Sequence, residues 1–102
     1  MKRLTLFLLL TALFLSCSKN NPPVIESLFA VPDSVQPGES LELHCVATDI
    51  DDDELTLTWY FQGTPLPEAV WLAPDDPGDY YVKIRVSDQT DIVEDSLLVK
   101  VQ

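Results

Sequence analysis

The pattern of apolar and polar positions changes character once along this chain, close to residue 20. Residues 4–15 are almost uniformly apolar, and beyond them no helical period survives. The rest of the chain is a series of short stretches in which apolar and polar residues alternate, bounded by Pro, Gly and Asp, which is the signature of half-buried strands. Strands are expected at Val24–Val31, ended by Pro32, and at Ser40–Thr48 after the Pro37-Gly38 turn. The second of these turns Leu41, Leu43, Cys45 and Ala47 inward and Glu42, His44, Val46 and Thr48 outward. Residues 55–62 alternate most cleanly, with Leu55, Leu57, Trp59 and Phe61 on one face and Thr56, Thr58, Tyr60 and Gln62 on the other. A short strand at 69–73 carries Val70, Trp71 and Leu72, with Trp71 expected to be buried. Residues 80–88 place Tyr80, Val82, Ile84 and Val86 inward and Tyr81, Lys83 and Arg85 outward, and Ile92–Val101 closes the series with Leu97, Val99 and Val101. The pattern predicts an all-β domain.

The apolar run is too short to remain in a membrane. A spanning helix needs roughly 20 apolar residues, whereas this run is preceded directly by Lys2 and Arg3 and followed by the small residue Ser16 and by Cys17. A charged start, a short apolar centre and a small residue before a cleavage point describe an export signal. The segment resembles the signal peptide of bacterial lipoproteins. That resemblance implies removal of residues 1–16, acylation of Cys17, a short polar tether over 17–22 and a folded domain over 23–102. It also implies a place in the bacterial cell envelope, held to a membrane by lipid. Ser18 stands where Asp would signal retention in the inner membrane, which points to the outer membrane, facing the periplasm or the cell surface. A cleaved secretory leader without lipid is the competing reading, and a Cys17–Cys45 disulfide would then be the fallback.

Charge narrows the range of partners. The 102 residues hold 17 Asp and Glu against 6 Lys and Arg, a formal net charge of −11. Loss of the leader would remove Lys2 and Arg3 as well. Phosphate binding needs a basic face, so nucleic acid is excluded as a partner. Such acidity serves solubility and favours cationic partners or metal ions. The remaining length suits one small domain. With Cys17 taken by the anchor, Cys45 reads as a buried free thiol that packs like a small hydrophobe. Its neighbour His44, the single histidine, must point to the opposite face of the strand, so the two do not form a catalytic pair.

Two sequence stretches carry a second resemblance. Trp59-Tyr-Phe-Gln-Gly-Thr-Pro-Leu-Pro67 is similar to the middle of immunoglobulin domains. Ala47-Thr-Asp-Ile-Asp-Asp-Asp-Glu-Leu-Thr-Leu-Thr-Trp59, with Gly78-Asp-Tyr-Tyr-Val-Lys-Ile-Arg-Val-Ser-Asp88, resembles the PKD and cadherin-like modules of bacterial surface proteins. The resemblance implies an immunoglobulin-like antiparallel β-sandwich of about seven strands, with Cys45, Trp59, Tyr80 and Val82 as its core signature. Tyr80 matches the tyrosine corner, and Val82 stands where a disulfide partner for Cys45 would be. Modules of this kind act in spacing, adhesion and recognition of protein or carbohydrate, so the expected partner is another envelope protein or a polysaccharide.

Two surfaces are candidates for recognition. One is the outward face bearing Tyr60, Tyr81, Lys83 and Arg85, which could stack a sugar or peptide or could be an ordinary solvated face whose side chains pair across strands. The other is an acidic pole, where the 49–54 loop and the 88–91 turn should meet. Asp49, Asp51, Asp53 and Asp88 there could supply the hard oxygens that Ca²⁺ takes, as similar loops do in related modules; the competing reading is a solvated loop tip. No cofactor is otherwise required. A small envelope hydrolase is the alternative of another class, and the chain offers it no nucleophile elbow, His-rich metal site or phosphate loop.

Overall fold

The computed structural model describes residues 20–102, and the leader, Cys17 and its expected acylation lie outside them. Eight strands form: β1 (Val24–Val31), β2 (Ser34–Val35), β3 (Ser40–Thr48), β4 (Thr56–Phe61), β5 (Thr64–Pro65), β6 (Val70–Leu72), β7 (Gly78–Ser87) and β8 (Ile92–Val101). They make two sheets, one in the order β1-β3-β6 and one in the order β2-β8-β7-β4-β5. All pairings are antiparallel except β2 with β8, where Ser34 lies opposite Lys100 and Val35 opposite Val101. The chain therefore changes sheets at Pro32-Asp33. Pro32 cannot donate to a ladder, so a strand stops there readily.

The two inner faces pack on one another as a β-sandwich. Leu41 and Leu43 of β3 and Trp71 of β6 meet Trp59 of β4, Val82, Ile84 and Val86 of β7, and Val99 and Val101 of β8. In β1 the strict alternation fails, because a bulge between Ile25 and Ser27 shifts the register. That extra residue lets Ile25 and Leu28, three apart, both pack on the core. Trp71 is 1% exposed and lies edge-on to Phe61 at 5.3 Å between ring centroids, with Tyr80 at 5.8 Å. The Tyr80 hydroxyl donates to the Asp76 carbonyl at 2.6 Å, tying the approach to β7 back on itself.

Several details differ from the sequence pattern. The strands expected at 55–62, 69–73 and 80–88 run over Thr56–Phe61, Val70–Leu72 and Gly78–Ser87. The short β2 and β5 add to the expected set. Gln62 and Gly63, both in the left-handed region at φ 51° and 82°, form the two-residue turn that folds β5 back on β4. Leu57 faces the inner side yet is 40% exposed. Cys45, expected to be buried, is half-buried. One cause underlies both: β6 pairs only with Ser40–Glu42 of β3, so among the described residues no strand covers one flank of the sandwich.

Candidate functional site

The acidic pole is assembled from three segments. After β3 the chain turns sharply, since the Asp49 side chain accepts from the Asp51 amide at 2.9 Å and the Asp49 carbonyl from the Asp52 amide at 3.0 Å. Asp52 takes a left-handed φ of 59°, a conformation that Asp tolerates better than most residues. This turn brings Asp53 back towards Asp49. At the end of β7, Asp88 is 1% exposed, and its Oδ1 accepts from the amides of Thr90 and Asp91 at 2.9 and 2.6 Å. Asp88 thus shapes the turn into β8 by binding its backbone, which is what short acidic side chains do in turns.

Asp49, Asp53 and Asp88 each offer one oxygen, and the three oxygens lie within 4.8 Å of one another. Two oxygens on opposite sides of a calcium ion are at most about 5 Å apart, from a Ca–O distance of about 2.3–2.6 Å, so the spacing fits a hard cation. Asp49 Oδ2 is enclosed and has no hydrogen-bond partner among the described residues. Asp51 is directed elsewhere, its carboxylate accepting from the backbone amide of Asn21 at 2.8 Å and from the Asn21 side chain at 3.2 Å.

The charges respond as crowding requires. The Asp53 carboxyl is pushed above the usual range by loss of solvent and by repulsion from Asp49, Asp88 and Asp51. Asp88 moves the opposite way, held below the usual range first by its hydrogen bond from Asn20 and then by the backbone amides. Asn20 Nδ2 donates to Asp88 Oδ2 and to Asp91 Oδ2, both at 2.8 Å. Asn20 and Asn21, which the sequence pattern assigns to a tether, are therefore part of this pole. No local signal could reveal them, because their partners lie 30 to 71 residues away.

The remaining candidates fall into two groups. On the outer face of the larger sheet, Arg85 Nε donates to Glu94 at 2.8 Å and its guanidinium lies 5.0 Å from the centre of the Tyr60 ring. Lys83 approaches the same Glu94 at 3.8 Å, while Tyr81 is 66% exposed. The cations of this face are thus engaged with their neighbours, the arrangement of a cross-strand network. In the core group, Trp59 and Val82 are buried, and Tyr80 packs on Trp71 and Phe61. Burial, and then the charge of Asp95, raise the pKa of the Cys45 thiol, which keeps it protonated and unreactive. His44 stacks on Phe29 at 4.8 Å on the outer face.

Two sheets of this order, with a buried Trp on β4 and a tyrosine corner at the start of β7, define an immunoglobulin-like β-sandwich module. The match can be made narrower. A family model described as PKD domain covers residues 27–101, and the chain belongs to that family. PKD domains are immunoglobulin-like extracellular modules, generally non-catalytic, which is compatible with a binding or structural role. No solved structure matches the chain.

Proposed function

We propose that this protein is a lipid-anchored module of the bacterial cell envelope, exposed outside the cytoplasm, that binds a partner or serves as a structural element and performs no catalysis. The observation that carries the reading is the pinning of Asn20 and Asn21 on the acidic pole. Asn20 lies three residues after Cys17, a reach of about 10 Å at ~3.3–3.6 Å per residue. An acyl group on Cys17 would hold that pole close to the bilayer and leave the opposite pole to face outward. The anchor lies in the outer membrane on this reading, and the partner is another envelope protein or a polysaccharide. Mass spectrometry of the protein from its native membrane tests it: Cys17 should be the first residue and carry acyl chains, and Cys17→Ser should stay unprocessed or be released. A free or disulfide-bonded Cys17 in the wild type would refute the anchor.

A second reading is favoured by the orphaned Asp49 Oδ2 amid three converging carboxylates. Asp49, Asp53 and Asp88 bind Ca²⁺, with Asp51 at the rim, and the ion steadies the pole for adhesion or carbohydrate recognition. Extracellular modules bind calcium at about 10⁻⁴–10⁻³ M. Linkage then stabilises the fold by about 2.7 kcal/mol when calcium is a hundredfold above Kd. The melting temperature should rise with 10 mM Ca²⁺, less with Mg²⁺, and the rise should vanish in Asp49→Asn combined with Asp53→Asn. An identical rise in that double variant would remove the ion from this site.

A further inference from the structure

The flank left open by the short β6 has the properties of a place for one more strand. Leu43 donates its amide to the Ala69 carbonyl at 2.9 Å, so residue 43 points its backbone towards the β6 side. In a strand these directions alternate, which aims the amides and carbonyls of Cys45 and Ala47 at the same edge. Among the described residues no strand lies beside them there, since the pairing with β6 runs only over Ser40–Glu42. Across the sandwich, Leu66 donates to the Trp59 carbonyl at 2.8 Å, and by the same alternation the backbone of Leu57 faces the open flank too. The link between β5 and β6 spans only residues 66–69, too few to supply a covering strand. Between the two edges runs a groove of about 550 Å³ with Leu43, Cys45, Leu57, Trp59 and Leu66 in its wall.

We infer that this groove receives an extended segment of a partner protein, which adds to the free edge of β3 as a strand. Unpaired edge groups beside an apolar trough are what strand addition uses: backbone hydrogen bonds give affinity, and alternate side chains fill the trough. Charge selects the occupant. Glu68 lines one end of the groove, the acidic 49–54 loop lies beyond the far end of β3, and no Lys or Arg lines the groove. Lys83 and Arg85 are engaged by Glu94 on the other sheet's outer face. A second copy of this chain would bring two strongly acidic domains together. The fitting partner strand is therefore apolar at alternate positions and basic at both ends. It runs antiparallel to β3, in line with β6.

This inference deepens the reading of a binding module and does not depend on the anchor, because its test reads the groove alone. The probe is an acetylated Lys-Val-Thr-Val-Thr-Val-Lys peptide added to the full-length protein in uncharged detergent micelles. Amide hydrogen exchange at Cys45 and Ala47 should slow by at least tenfold at saturation, and the effect should weaken as salt is raised. A counterpart with Glu at both ends, and one with N-methyl groups on alternate residues, should each bind at least tenfold more weakly. The exposed substitution Glu68→Lys should weaken the Lys-ended peptide several-fold. The inference is overturned if exchange at these amides does not change, or if the N-methylated or Glu-ended peptide protects them equally. It is also overturned if they are already protected in a protein that sediments as a dimer, for then a second copy fills the groove. Any of these failures would leave the state of Cys17 and the calcium response unaffected.

Discussion

Replacing Trp71 with Ala tests whether one side chain holds the short β6 on the core. Trp71 sits on a three-residue strand, is 1% exposed, and contacts Phe61 and Tyr80. Deleting a buried aromatic costs about 3–5 kcal/mol, and aromatic pairs of this geometry contribute about 0.5–1.5 kcal/mol each within such a loss. One effect works the other way. Trp71 Nε1 is buried with no partner among the described residues, and an unmet donor of this kind already costs about 1–3 kcal/mol. The net loss therefore belongs near the lower end, about 3 kcal/mol. A domain of about 80 residues has roughly 4–12 kcal/mol in total, so a large share of the stability goes. At about 4–8 °C per kcal/mol, the melting temperature should fall by at least 12 °C. Trp71→Phe removes the unmet donor and keeps a ring, and should lose less than half as much. Thermal and urea melts followed by circular dichroism give both numbers, with Trp59 fluorescence as an independent probe. If Trp71→Ala melted within about 5 °C of the wild type with an unchanged urea slope, Trp71 would not be what holds β6 on the core.

Two further predictions concern polar groups. Tyr80→Phe removes the hydroxyl that donates to Asp76 and should cost about 0.5–1.5 kcal/mol, seen as a lower urea midpoint; no change would mean that the corner contributes nothing. The pH profile should show two opposed carboxylates. Asp88, with its lowered pKa, contributes stability that is present above the ordinary Asp value and is lost as pH falls through its own. Asp53, with its raised pKa, stabilises below the ordinary Asp value and loses that contribution as pH rises through its own. Without calcium at neutral pH, Asp53→Asn should therefore raise the melting temperature, and Asn20→Ala should shift acid unfolding to higher pH. Melts across pH 2–7 check both signs.

The longer strands were legible because apolar residues recur with period two over Ser40–Thr48, Thr56–Phe61, Gly78–Ser87 and Ile92–Val101. Two-residue strands such as Ser34–Val35 carry no period at all, and their pairing with Lys100 and Val101 is decided at long range. Alternation also gives direction without saying what lies opposite. Leu57 and Cys45 point inward as their positions require, yet they meet a groove because no strand among the described residues lies over them. At the pole, alternate carboxylates would converge only on an extended loop. The turns at Asp49 and Asp52 redirect the chain, so that Asp53 joins Asp49 and Asp88 while Asp51 reaches Asn21. The roles of Asn20 and Asn21 depended on the fold being complete.

The place of β8 sets when this domain can fold. It is the last of the described strands, yet it lies inside the larger sheet between β2 and β7. Until Ile92–Val101 is available, β7 lacks its longest partner and β2 has nothing to pair with. The β7–β8 hairpin, closed by the short Asp88 turn, is cheap to form, since loop closure costs grow with the chain enclosed. Joining Ser34 to Lys100 closes a far longer loop and belongs late in the sequence of events. A chain that appears from its N-terminus therefore cannot complete either β7 or β2 until Ile92–Val101 is free to pair with them.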